Sequence, residues 1–216
     1  MIGLPSMLAG KKALRVLCIG AHCDDIEIGC GATLLRLASE RPLDVTWLIL
    51  CSTPQRAAEA RSSAAAFLKK ARTRTINVEA FRDGYLPAQW AQAKERIESL
   101  KAATDPDLIF THDLQDRHQD HRVVSELTWN TFRDHAILEY EIPKYEGFVG
   151  QPNLYVSVSK ATAEHKTRHL LNSYLTQRSK RWFARDTFFA LMHLRGVECN
   201  AQHGLAEAFH ARKLVV

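Results

Sequence analysis

No stretch of this chain reaches the ~18 consecutive apolar residues that a membrane-spanning helix needs, so no membrane span is expected. Cysteine pairing is missing too. The five cysteines, Cys18, Cys23, Cys30, Cys51 and Cys199, are odd in number and form no CxxC pair. A disulfide framework is therefore excluded, and free thiols of this kind fit a reducing cytoplasmic setting. At the amino terminus the apolar residues precede Lys11 and Lys12, the reverse of a secretory leader, and residues 1–12 read as a short disordered or edge segment. The sequence has no internal repeat, low-complexity tract or flexible linker.

What is present is a single domain's worth of chain. Its 216 residues, 46% of them hydrophobic, suit one globular unit with a true core. The net charge of +5 and pI near 9.0 admit a nucleic-acid partner, but no nucleic-acid motif accompanies them. Much of the basic excess (Lys166, Arg168, Arg178, Lys180, Arg181, Arg185) lies in one stretch. A solvated helix face accounts for it better than an anionic substrate does.

Apolar strand-like runs alternate with helix-like segments. Strands are expected at 15–20, 45–51, 75–81 and 108–111, and helices at 24–39, 53–70, 87–103 and 121–132. This rhythm predicts an α/β, Rossmann-like three-layer sandwich with a mostly parallel sheet. It breaks after Asp134. Strands at 137–141 and 154–158 follow, the second at a sheet edge because it alternates. Then come a long basic helix capped by Ser159 and a helix from 187 that stops at Gly196. We read 1–134 as a Rossmann-like core and 135–216 as strands and helices that shape the substrate pocket.

Two clusters carry the chemistry. Ala21-His22-Cys23-Asp24-Asp25-Ile26-Glu27 follows the first strand, and Asp116-Arg117-His118-Gln119-Asp120-His121 follows the fourth. In a parallel sheet both lie beyond carboxyl ends, where such folds place their ligands. His22 and Asp25 are three apart and can face the same way at a helix start, and His121 closes the set. Two imidazoles and one carboxylate leave a position open, the donor pattern of a catalytic Zn2+ rather than a structural one, and zinc lowers the pKa of water to roughly 7. Asp24 is placed to accept a proton. His118, if protonated, could stabilise an oxyanion and then protonate a departing amine, with Asp120 orienting it. Together these describe metal-assisted amide hydrolysis. Cys23 could touch the metal but reads better as packing. His165 and His169 are four apart, yet no HExxH is present. His112 is expected to line the pocket.

The first cluster resembles the AHPDDxE motif of the PIG-L/LmbE family of zinc-dependent N-deacetylases, and His118-Gln119-Asp120-His121 resembles its HPDH motif. Arg56-Ala57-Ala58-Glu59 is similar to that family's RxxE helix and Asp83-Gly84-Tyr85-Leu86 to its DGxL turn. Tyr174-Leu175-Thr176-Gln177 and Ala206-Glu207-Ala208-Phe209 are similar to its late SQ and AEAF segments. Cys23 and Gln119 replace the prolines of the two main motifs. The resemblance implies a Rossmann-like fold and removal of an N-acetyl group from a small glucosamine-type sugar. It implies His22, Asp25 and His121 as zinc ligands, Asp24 as base, His118 as electrostatic partner and Arg56 as a substrate contact. It is also compatible with a homo-oligomer, which the residues do not reveal.

Three rival readings remain at this level. One is a hydrolase of another acylated amine, such as an antibiotic. A nucleotide-binding module would want GxGxxG after the first strand, where Asp24 and Asp25 would instead repel a pyrophosphate. A phosphorylated signalling domain would want an aspartate ending the third strand, where Ala80-Phe81 stands.

Overall fold

A computed structural model describes residues 12–147 and 149–213; the expectation for residues 1–12 lies almost wholly outside them. The elements run β1 (Leu14–Gly20), α1 (Asp25–Glu40), β2 (Leu43–Cys51), α2 (Pro54–Phe67), β3 (Thr73–Phe81), α3 (Trp90–Ala103), β4 (Leu108–His112), α4 (Gln119–Thr131), β5 (Ile137–Tyr140), β6 (Leu154–Ser157), α5 (Lys160–Ser173), α6 (Arg185–Glu198) and β7 (Ala206–His210). One seven-stranded sheet has the order β3-β2-β1-β4-β5-β7-β6. Strands β1 to β5 are mutually parallel, and β7 joins β5 and β6 antiparallel. The mixed α/β fold expected from the alternation is present.

Both faces of the central strands are covered, which is why they read as continuous apolar runs. Leu14, Val16 and Cys18 of β1 pack on one side with Phe67, Phe110 and Tyr140. Leu17 and Ile19 pack on the other with Ile97, Val124 and Leu127. β6 is the sheet edge, as its alternation predicts. Strand β7 had no counterpart among the expected strands. No described helix is long and apolar enough to cross a membrane.

Two element boundaries differ from expectation. Residues 86–89 form a 3-10 turn ahead of α3 instead of its first turn, and Leu86 N is bonded to the Asp120 carboxylate. Helix α6 does not stop at Gly196 but runs to Glu198. A Cβ at Gly196 would lie 2.2 Å from Gly204 O, so this glycine permits a close backbone crossing. The stop falls at Asn200, with φ 50°. Asn200 N donates to Val197 O and Ala201 N to Gly196 O, the bond pair of a Schellman cap with asparagine in the left-handed position.

β1 pairs with both β2 and β4, although β4 follows two crossovers later. The sheet order therefore reverses between β1 and β4, and the crevice at their carboxyl ends is where open α/β sheets hold ligands. The two chemical clusters leave the sheet at that crevice.

Candidate metal centre

The turn after β1 is held by backbone. Cys51 N donates to Ala21 O at 2.7 Å and Asp25 N to His22 O at 3.3 Å. His22 N donates to Asp25 Oδ2 at 2.6 Å. This folds residues 22–25 into the turn that leads into α1 without the motif's proline. Cys23 faces the core, fully buried, with Sγ 3.7 Å from Cys51 O. Burial pushes its thiol up to about 12. Cys23 is thus a packing residue.

The three expected ligands converge. His22 Nδ1 is 3.1 Å from His121 Nε2. Asp25 Oδ2 is 3.3 Å from His22 Nδ1 and 3.5 Å from His121 Nε2. Two donors each bound to one tetrahedral zinc at normal lengths are roughly 3.3 Å apart, so the trio matches the edge lengths of a zinc site. Overlapping donor groups join His118 to His22 and His121, and His112 to Asp25 and His121.

Charge also suits a cation. Burial opposes a proton on His22, yet Asp25, Asp120 and Asp83 outweigh it and raise this imidazole well above its ordinary value. The field that holds a proton there is the field that would hold a metal ion. His121 goes the other way: burial first, then His112, push it well below its usual range. Its Nδ1 is 2.8 Å from Asp116 Oδ2, which leaves the Nε2 lone pair facing His22 and Asp25. Burial works against an ionised Asp116, but His121 and Lys144 hold it far below the carboxylate norm.

Each imidazole has a carboxylate behind it, the usual way of fixing a ligand's ring. Asp116 serves His121. The partner of His22 is Asp120, with Oδ2 3.2 Å from His22 Nε2. This corrects the expected role of Asp120, whose carboxylate does not orient His118. It instead accepts from Gly84 N at 2.6 Å and Leu86 N at 3.1 Å, tying the Asp83–Leu86 turn to the site. Gly84 has φ +81°, which a glycine adopts without strain. Asp83 lies 3.1 Å from His22 Nε2, and that hydrogen bond lowers it to about 2. Neither Asp83 nor Asp116 was singled out from sequence. The DGxL likeness and the position of Asp116 five residues before His121 were the available signals.

His118 caps α4, its Nδ1 accepting from Asp120 N at 3.3 Å. A backbone N–H can only donate, so the ring proton sits on Nε2. Burial, Lys144 and His22 lower its pKa. Both features favour a neutral ring that donates from Nε2 over the expected imidazolium. His112 is corrected as well. It is fully buried, with Nε2 3.0 Å from Ala21 N and 3.2 Å from Asp25 Oδ2, and its ring stacks 3.7 Å from that of His121. It backs the centre and does not line the open groove. His169 has Nε2 2.8 Å from Ser63 Oγ. Neither it nor His165 joins a donor cluster among the described residues.

Asp24 stands apart from the trio. Arg56 donates to its Oδ1 at 2.6 Å, while Oδ2 is buried with no partner among the described residues. Burial raises its pKa, with Arg56 opposing. Arg56, expected at the substrate, thus holds Asp24 while still lining the groove. That groove, about 150 Å³, opens over His22, Asp24 and His118 and is flanked by Lys144, Tyr145, Lys180 and Trp182.

The fold and centre together define an α/β domain with a cluster of two histidines and one aspartate that could hold a cation, at the sheet's reversal point. The sequence profile of the PIG-L family, GlcNAc-PI de-N-acetylase, matches residues 17–132. A protein of Escherichia coli K12, named uncharacterized deacetylase YaiS, is 30% identical over 145 residues, 62% of this chain and 77% of that protein. The chain belongs to the PIG-L family of deacetylases. Among solved structures, the conserved protein TT1542 from Thermus thermophilus superposes with a TM-score of 0.72 at 23% identity, covering 94% of this chain and 96% of that one. The N,N'-diacetylchitobiose deacetylase from Pyrococcus horikoshii gives 0.71 at 18% identity, covering 96% and 89%. At these identities the likenesses establish the fold.

Proposed function

We propose that this protein is a zinc-dependent hydrolase that removes an N-acetyl group from a small amino sugar of the N-acetylglucosamine type. The observation that carries this reading is the trio of donors spaced 3.1–3.5 Å apart, in one groove with Asp24, whose buried Oδ2 has no partner among the described residues. His22, Asp25 and His121 would hold the zinc, which when bound supplies Lewis acidity toward water and the acyl oxygen.

The chain's own groups do the rest. Asp24 Oδ2 takes a proton from the attacking water, whose oxygen bonds to the acetyl carbon. Arg56 keeps the other Asp24 oxygen engaged, which leaves Oδ2 as the free proton acceptor. His118 donates from Nε2 to the carbonyl oxygen as negative charge builds on it. The carbon–nitrogen bond then breaks, the proton on Asp24 passes to the leaving nitrogen, and acetate and a free amine are released.

The test is an amine-release screen over N-acetylglucosamine, its phosphates, nucleotide-linked forms and N-acetylated disaccharides, with metal analysis of the purified protein. Turnover abolished by chelator and restored by zinc is expected. Turnover that survives full metal removal would overturn the reading. Release only from another class, such as an acylated antibiotic, would move the substrate and keep the chemistry.

A further inference from the structure

The described residues of the segment 142–149 follow β5, and Ile142, Lys144, Tyr145 and Glu146 among them line the groove. Lys144 Nζ lies 2.8 Å from His121 Nε2. Glu146 Oε1 is 3.9 Å from His118 Nε2, and Tyr145 is 71% exposed. Among the described residues the segment has one backbone hydrogen bond of its own, Gly147 N to Lys144 O. Its course is therefore decided at its base.

One guanidinium forms that base. Arg195, in α6, is 2% exposed. Its Nε donates to Glu141 Oε2 at 2.8 Å and its Nη2 to Glu141 Oε1 at 2.5 Å. Nη2 also donates to Gly150 O at 3.1 Å, and Gly150 N donates to Glu141 Oε1 at 3.0 Å. Nη1 donates to both carboxylate oxygens of Glu198, at 2.6 and 2.8 Å. Glu141 and Gly150, the residues just outside each end of the segment, are thus fastened together from a helix that contributes nothing to the metal centre.

We propose that Arg195 is the positioning residue for the groove-flanking segment 142–149: by closing Glu141 onto Gly150 it sets where Lys144 and Tyr145 stand over the centre. What the segment then contacts rests on the deacetylase reading; the clamp itself does not. A lysine in its place keeps the charge but not the planar fork that grips two oxygens and a carbonyl at once.

The test compares Arg195→Lys with Leu100→Ala, a core change in α3 on the other face of the sheet. Lys144 is the sole trypsin site between residues 142 and 149. Native trypsin should cut after Lys144 about tenfold faster in Arg195→Lys than in wild type, because cleavage follows the population of the opened segment. Leu100→Ala, even if its melting temperature falls further, should be cut there at the wild-type rate. On the substrate found by the screen, Arg195→Lys should raise KM about tenfold and leave kcat within about threefold. Equal cutting in Arg195→Lys and wild type, equal cutting in the two variants, or an unchanged KM would overturn the proposal. If wild type turns over no acetylated amine, the deacetylase reading fails and the cleavage comparison still decides the clamp.

Discussion

Replacing Lys166 by methionine isolates one buried charge pair whose energetic weight the structure lets us set. Lys166 Nζ lies 2.6 Å from Glu207 Oε1 and 2.5 Å from Ile28 O, and both side chains are 3% exposed. The Glu207 carboxylate also accepts from Ala32 N at 2.8 Å and Thr33 N at 2.7 Å. An acid from β7 and a base from α5 thus meet the backbone in the middle of α1, the helix that begins with Asp25. Breaking a buried pair by removing one partner costs about 3–5 kcal/mol, since the other charge stays behind. Glu207 would keep its two backbone donors, and methionine fills similar space, so the lower end, about 3 kcal/mol, is expected. For a chain of this size each kcal/mol is worth about 2–4 °C, which gives a fall of roughly 6–12 °C. The exposed pair Arg36–Glu40 is the comparison: Arg36→Ala should cost only about 0–1 kcal/mol. Thermal unfolding followed by circular dichroism, with urea titration of both variants, separates the cases. In the double variant Lys166→Met/Glu207→Gln the stranded charge is gone, and part of the loss should return. A Lys166→Met midpoint within 2 °C of wild type, or equal to that of Arg36→Ala, would refute the reasoning.

Asp24→Ala should retain zinc while losing about 10²–10⁴ in turnover, as for a lost general base, whereas His121→Ala should lose both; equal zinc loss in chelator competition would end that division of labour. His118→Ala should slow turnover on the order of a hundredfold, as for a lost oxyanion donor, and wild-type kcat would remove it from the mechanism. Asp116→Ala should weaken zinc binding by about 10–100-fold through His121 alone, and unchanged affinity would show that the ring needs no such partner. Native alkylation at neutral pH should label Cys199 first and spare the four buried thiols, Cys23 among them with its pKa near 12; early modification of Cys23 by mass spectrometry would contradict its place in the core.

The local pattern was enough for much of this protein. Apolar runs covered on both faces, helix-type spacing between them and acidic first turns are properties of neighbouring residues, so the β1-to-α4 succession and the ligand-type residues His22, Asp25 and His121 could be read directly. Ser159 capping α5 is of the same kind. What neighbouring residues do not encode is which distant groups share a site. The crevice exists because β4 pairs with β1 while β2 takes β1's other side, and that pairing brings His121 within 3.5 Å of Asp25. Asp120 sits close to His118 in sequence, yet its carboxylate belongs to His22 and Gly84, because α4 turns it toward the other cluster. His112 looked like a pocket residue from its nearness to the second motif, and its place at the end of β4 buries it. The short supporting segments show the same division most clearly: Arg56 on Asp24, Glu59 on Thr176 and Glu207 inside α1 are contacts between elements far apart in the chain. Their side chains could be noticed in the sequence, but their partners exist only once hydrophobic burial has closed the layers around them.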